Sequence, residues 1–470
     1  MCFGCLINNS NKIFMKKNLL LLSAMLFLIC PAFAGGLLTN TNQSVHFLRN
    51  PALDASTGIE AVYANPAGLI FLDDGFHLSL TNQSAFQTRT IHSTFAPFAA
   101  YNSGNATKTF SAETNAPLIP SVLFAYKKDA FVFSGLFAIV GGGGKATFEK
   151  GLASFESGVS MLPPMLSANG LPTTAYSLNS AFEGSQYIFG LQLNGSYKLN
   201  EALSAAVGLR LNLVSNGYVG HITDIRINPR HPLLNPTAAM VSAPAFFTSA
   251  GMTTYAAATA DKQLDCTQSG LGFSPNVSIN YHLNGLNLAA KYEFKSVIDV
   301  KNKTTVDNTG MYPDGATTAN DIPAFLSVGA KYDLMDKWSV SGGYHHFFDS
   351  DARMANNKQQ YIDGGINEYL LGTEYEINKL FLLSAGGQLT RTGVTDAYQS
   401  DMSYSLNSYS VGFGGAINIS SDLRLNVAYF FTDYTPWTKN STAYNGQPLA
   451  GKDVYDRTNK VFGIGLDYNF

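Results

Sequence analysis

The chain has 470 residues and a formal net charge of −3, with 13% charged, 46% hydrophobic and 12% aromatic residues and 43 glycines. Charge at about half the usual ~25% excludes the clustered Lys and Arg of a nucleic-acid footprint, and the aromatic content excludes a disordered chain. Gly, Ser, Thr, Asn and aromatics stand in for charge, a balance that suits strands more than helices.

In chain order, Met15-Lys16-Lys17 opens a basic region, residues 19–29 are apolar, and Ala32-Phe33-Ala34 is a small-x-small cleavage site. Residues 1–34 therefore read as a secretory signal peptide, with 1–14 a misassigned start ahead of Met15. Its removal takes Cys2, Cys5 and Cys30 and leaves Cys266 alone. The mature chain then has no internal disulfide to hold it, and a closed hydrogen-bonded sheet can take that role. No later stretch reaches the ~18 apolar residues of a membrane helix.

Residues 35–75 do not alternate. They carry Arg49-Asn50-Pro51-Ala52-Leu53 and then Ala61-Val62-Tyr63-Ala64-Asn65-Pro66-Ala67-Gly68-Leu69, with Asn-Pro and Ala-Gly turn chemistry. A compact segment of this kind is either a periplasmic extension or a plug folded into a lumen.

From residue 76 to 470 the dominant signal is period-2 alternation. At the C-terminus Phe462, Ile464, Leu466, Tyr468 and Phe470 interleave with Gly463, Gly465, Asp467 and Asn469; Leu203, Ala205, Val207, Leu209, Leu211 and Leu213 do the same. Such segments run roughly 10 to 15 residues, against about 5 to 6 in soluble sheets. Fourteen are predicted, near 76–89, 118–127, 130–140, 185–198, 202–221, 271–283, 286–301, 322–333, 338–350, 364–377, 380–393, 406–419, 423–433 and 458–470. Tight turns such as Asn200-Glu201, Asn284-Gly285 and Asn378-Lys379 alternate strictly with long loops. An even strand count with short turns at one end and long loops at the other predicts an all-β fold, a transmembrane antiparallel β-barrel of the Gram-negative outer membrane. Outward residues would meet outer-membrane lipid and lipopolysaccharide, and inward Ser, Gly, Asn and Gln the lumen. Tyr126, Tyr197, Tyr281 and Tyr332 would form the periplasmic aromatic girdle, and terminal Phe470 would be the handle for the barrel assembly machinery. A monomer is expected.

Three features bear on a ligand. Residues 151–182 carry one charge, Glu156, beside Phe155, Met161, Leu162, Met165 and Leu166, while residues 233–259 carry none and include Phe246 and Phe247. Apolar loops of this kind either capture hydrophobic ligands or pack on one another to close the barrel mouth, and both can hold together. Gly141, Gly142, Gly143 and Gly144 follow the third strand and read as a break in it; Ala146 stands where a phosphate loop needs Ser or Thr. By parity Arg210, Lys291 and Lys295 point inward, with Glu293 beside the lysines, as candidate contacts for a ligand head group. No His-Glu-x-x-His, Gly-x-Ser-x-Gly or Cys-x-x-Cys occurs, and His345-His346 send their rings to opposite faces. No catalytic residue, metal or cofactor is expected.

The phrase from Glu60 through Leu69, continuing by Asp73-Asp74-Gly75 into the first strand, resembles the hatch-to-barrel junction of the FadL/TodX family of outer-membrane transporters for hydrophobic compounds. The resemblance implies a fourteen-stranded barrel plugged by a hatch over 35–75 that includes Asn65, Pro66, Ala67 and Gly68. It also implies capture of fatty-acid-like or hydrocarbon substrates at the loops, and release through a lateral opening at a kinked third strand, near Gly141 to Gly144. A general porin for polar solutes and an outer-membrane lipid hydrolase are the competing readings.

Overall fold

The structure, a computed structural model, describes residues 40–470; the expected leader and positions 35–39 lie outside the described residues. Fourteen antiparallel strands run β1 (Gly75–Phe95), β2 (Thr107–Lys128), β3 (Phe131–Phe148), β4 (Tyr176–Lys198), β5 (Leu203–Ile227) and β6 (Lys262–Leu283). They continue as β7 (Leu286–Glu293 and Asp299–Asp307), β8 (Thr317–Ala319 and Phe325–Met335), β9 (Trp338–Phe347), β10 (Ile366–Glu376), β11 (Phe381–Arg391), β12 (Ser408–Asn418), β13 (Leu423–Tyr434) and β14 (Gly451–Asn469). Each strand pairs with the next, and β14 pairs with β1 from His77↔Asn469 to Phe95↔Gly451, which closes the ring.

Every predicted segment falls on one of these strands. Several strands run on toward the long-loop end: β2 begins at Thr107, β4 at Tyr176 and β6 at Lys262. Above the apolar band both faces of a strand are wet, so hydrophobic alternation stops while backbone pairing continues.

Alternation sorts the two faces as closure demands. Leu191, Leu193, Val207 and Leu209 are exposed on the outside, while Gln192, Asn194, Arg210 and Asn212 are buried inside. Tyr126, Tyr197, Tyr281 and Tyr332 all stand exposed near the tight turns. No helix among the described residues is long and apolar enough to cross a membrane.

Within the ring lies the N-terminal segment, with short helices α1 (Val45–Arg49) and α2 (Ala61–Ala64) and a 3-10 turn over Pro66–Phe71. Nearly all of it from Gln43 to Ile70 is buried. α1 packs on β1 and β11 to β14, and α2 with the turn packs on β2 to β6. Toward the long loops, helices α3 (Ala153–Ser160) and α4 (Leu162–Ala168) follow β3, and α5 (Ala243–Ser249) and α6 (Thr253–Ala258) follow β5.

Candidate functional site

Among the described residues, the β2–β3 seam loses its backbone pairing over one stretch. β2 and β3 pair continuously from Val122↔Phe137 to Lys128↔Phe131, then share only Glu113↔Thr147. Two causes meet there. β3 skips register against β4 between Ile139 and Gly141 and again between Gly142 and Gly144, so Val140 and Gly143 are bulged residues that bend the strand. Gly142 and Gly143 hold φ of 68° and 106°, a region that favours glycine. Across the gap, β2 carries Pro117 and Pro120, which have no N–H to offer β3. The Pro117 carbonyl is satisfied on the other side, by Ser84 Oγ at 2.7 Å and Asn82 Nδ2 at 3.3 Å.

Behind the gap is a luminal cavity of about 390 Å³. Thr114, Ala116 and Ile119 of β2 and Ile139, Gly142 and Gly144 of β3 line it, so both edges of the gap face the cavity. Its roof is an aromatic cluster with Phe95, Phe98, Phe110, Phe148, Tyr404, Tyr444 and Tyr455. α3 is tied into that roof: Lys108 Nζ reaches both Glu156 carboxylate oxygens at 2.6 Å, Tyr176 Oη donates to Glu156 Oε1 at 2.6 Å, and Ser154 N–H donates to Asp401 at 2.7 Å.

The floor is the N-terminal segment, seated in a slot of glycines. A Cβ on Gly329 of β8 would stand 2.5 Å from Asp54 Cβ, on Gly386 of β11 2.6 Å from Pro51 Cδ, and on Gly463 of β14 2.5 Å from Leu48 Cδ1. Gly343, Gly372 and Gly412 face Asp54, Asn50 and Leu48 with equally little room. Only strands without side chains at these points let the segment lie against the wall. Charge then pins it: His46 Nε2 is 3.0 Å from Asp467, Arg49 meets Glu374, and Asp54 meets His345 Nε2 at 2.7 Å. Burial opposes charge on His46, but Asp467 outweighs it and raises the imidazole pKa above its ordinary 6.5.

Asn65, Pro66, Ala67 and Gly68 sit at the other half of the floor. Asn65 Nδ2 donates to Asn280 Oδ1 at 2.6 Å, Ala67 N–H to Ser278 Oγ at 3.0 Å, and Ser196 and Ser204 hydroxyls donate to the Pro66 and Ala67 carbonyls at 2.7 Å each. The inward serines and asparagines of β4 to β7 thus satisfy the backbone of a buried irregular segment, as burial requires.

Arg210 and Lys291 face the lumen, as parity predicts. They are 2.6 and 2.9 Å from the two carboxylate oxygens of Glu293, and Lys291 Nζ also donates to the Tyr63 carbonyl at 2.6 Å and lies 4.0 Å from the Tyr63 ring centroid. This charge group is fully buried against α2 and fastens the floor. Lys295 does not point inward: β7 is interrupted after Glu293, parity is lost there, and the exposed Lys295 ammonium donates to the Asp351 carbonyl at 3.0 Å. Of the loop residues, Met161, Leu162, Leu166, Phe246 and Phe247 are buried, Phe155 and Met165 partly so, and most of them pack together with Tyr176 and Tyr255. The loops close the mouth on one another. His345 turns inward and His346 pairs with Asn367 on the other face.

The glycine slot, Pro117 and Pro120 escaped the sequence reading. Two prolines three apart inside a strand were a usable signal for an unpaired edge. The glycines at inward positions of β8 to β14 looked like ordinary small lumen residues until their partners were seen.

No protein-family model matches the chain, and no curated protein sequence does. Solved structures do. A Pseudomonas aeruginosa FadL homologue superposes with TM-score 0.61 at 14% identity, covering 93% of this chain and 99% of its own. The Pseudomonas putida toluene transporter TodX gives TM-score 0.55 at 16% identity over 93% and 100%, and the Ralstonia pickettii toluene transporter TbuX gives 0.52 at 14% over 90% and 98%. The chain is a fourteen-stranded transmembrane β-barrel. Its fold is that of the FadL/TodX outer-membrane transporters, in keeping with the resemblance at Glu60 to Leu69.

Proposed function

We propose that the protein sits in the outer membrane of a Gram-negative bacterium and passes hydrophobic molecules inward without energy coupling, letting them leave sideways through the β2–β3 gap above a hatch formed by the N-terminal segment. The observation that carries this reading is the juxtaposition of gap and cavity: the cavity has a roof, a floor and a break in the wall. Hydrocarbon lies outside that break, so an apolar solute entering it never has to cross water, whereas a polar solute gains nothing there. A general porin needs an open axial lumen, which the pinned floor and packed loops do not provide. The solved structures with this fold are described as transporters of toluene or as a FadL homologue, not as enzymes.

Proteoliposomes test it directly. Reconstituted protein is expected to admit a hydrophobic fluorophore faster than empty vesicles while leaving arabinose swelling at background. Rapid arabinose swelling with no gain for the hydrophobic probe would establish a porin instead.

A further inference from the structure

On the outer wall, away from the β2–β3 gap, β9 to β13 enclose a groove of about 890 Å³. Its floor is set by small residues at outward positions, Ala385 of β11 and Gly415 of β12, and its sides by Tyr375, Leu383, Phe413 and Val427, each large and exposed. Register explains the hollow. Ala385 lies between Thr373 and Phe413, and Gly415 between Leu383 and Val427, so each small residue leaves a dent beside a bulky neighbour. The β4–β5 seam shows the filled alternative, with Leu191↔Leu211 and Leu193↔Leu209 side by side.

The groove is lined almost wholly by apolar atoms. Trp338 Nε1 donates to Thr373 Oγ1 at 2.7 Å, and that hydroxyl donates to the Ser339 carbonyl at 2.9 Å, so these two side chains are already satisfied. The occupant is therefore hydrocarbon. A second barrel would present a rigid convex wall that meets the sides and leaves the floor empty, forfeiting close packing; a flexible alkyl chain reaches the floor. Depth selects the lipid. Trp338 and Phe381 begin β9 and β11 directly after tight turns, the end at which such barrels meet the periplasm, so chains at this level belong to the phospholipid leaflet and not to lipopolysaccharide. At the same end Asp336, Lys337, Glu376 and Lys379 are all exposed, and none is in an ion pair among the described residues. Glu376 and Lys379 also border the polar recess beneath the floor.

We infer that the groove on β9 to β13 binds a zwitterionic phospholipid of the inner leaflet, with one acyl chain lying over Ala385 and Gly415 and the head group meeting the charges at the turns. A phosphate suits Lys337 and Lys379, and an ammonium suits Asp336 and Glu376; an anionic or headless lipid leaves one set unanswered. The preference is modest, because a chain leaving bulk lipid exchanges one apolar setting for another and gains only packing and exposed ion pairs. This rests on the outer-membrane location proposed above and not on what the barrel passes.

The chain's 2 tryptophans make the site readable, since Trp338 lines the groove and Trp437 lies between β13 and β14 at the long-loop end. In Trp437→Phe, purified at full length and delipidated in dodecyl maltoside, Trp338 fluorescence is titrated with phosphatidylethanolamine brominated on its acyl chains, and with phosphatidylglycerol and diacylglycerol brominated alike. Phosphatidylethanolamine is expected to quench half-maximally at a mole fraction at least about threefold lower than the other two, the scale of exposed ion pairs. Adding Ala385→Phe, which raises the floor, should bring the three lipids together, with heat-modifiable gel migration showing the barrel folded. Equal quenching by the three lipids in the unaltered groove overturns the site. A preference untouched by Ala385→Phe places the lipid elsewhere and overturns it too. Quenching by none of them also overturns it, and a dimer in light scattering would then give the groove to a second copy. Loss of the lipid preference leaves hydrophobic uptake standing, and failure of uptake in proteoliposomes leaves the lipid site standing.

Discussion

Replacing Gly329 and Gly463 by alanine tests whether the N-terminal segment is held by the shape of the wall. At Gly329 the three atoms closest to an added Cβ are Asp54 Cβ at 2.5 Å, Ala55 N at 3.1 Å and Asp54 C at 3.1 Å; at Gly463 they are Leu48 Cδ1 at 2.5 Å and two atoms of Val45 at 3.0 and 3.4 Å. All six belong to the segment and none to the barrel, so the clash falls on the floor alone. Each overpacked site costs about 1 to 3 kcal/mol, and the two share no close neighbour, so together they weaken seating by about 2 to 6 kcal/mol. At 1.4 kcal/mol per tenfold, the displaced population rises about thirty-fold to twenty-thousand-fold. The strands themselves tolerate the change, because alanine is less costly than glycine in regular backbone. Planar-bilayer recording of G329A/G463A should show new conductance steps, with heat-modifiable gel migration of the barrel unchanged. Hydrogen exchange over residues 45–54 should quicken in step. Silent bilayers together with unaltered exchange would refute the slot as the source of the seating.

Glu293→Gln leaves Arg210 and Lys291 buried side by side without their counter-charge; a loss of about 3 to 5 kcal/mol is expected, read as a lowered urea midpoint for the folded barrel. Asp349, just beyond β9, is pushed up from 3.8 to about 7 by burial, despite the stabilising Ile366 N–H at 3.0 Å. A carboxyl with a raised folded pKa contributes stability that is whole below its unfolded value and gone once pH passes the folded one, so the window is about pH 4 to 7. Hydrogen exchange in the β9–β10 loop, corrected for intrinsic rate, should therefore be faster at pH 8 than at pH 5, and Asp349→Asn should remove the difference.

The wall of this protein was legible because lipid on one side and lumen on the other impose a period of two, seen without knowing any contact. Strands were read short at the long-loop end, since residues such as Thr107 to Thr109 pair where no hydrocarbon enforces alternation. The break at Gly141 to Gly144 was visible as composition, and its partner break at Pro117 and Pro120 was available by the same logic. Parity placed Arg210 and Lys291 correctly and failed at Lys295, because a strand interruption resets the face. What pairs with the N-terminal segment could not be read: Asp54 meets His345 and His46 meets Asp467 across hundreds of residues.

Sealing the wall tests lateral release most directly. Deleting the bulged residues Val140 and Gly143 removes both register shifts of β3 and preserves parity, and Pro117→Thr with Pro120→Thr restores two backbone donors to β2. With the gap zipped, uptake of a hydrophobic fluorophore into proteoliposomes should fall to the empty-vesicle rate while the barrel stays folded and polar solutes stay excluded. Uptake at the unaltered rate through a sealed wall would contradict lateral release and require an axial path through the floor.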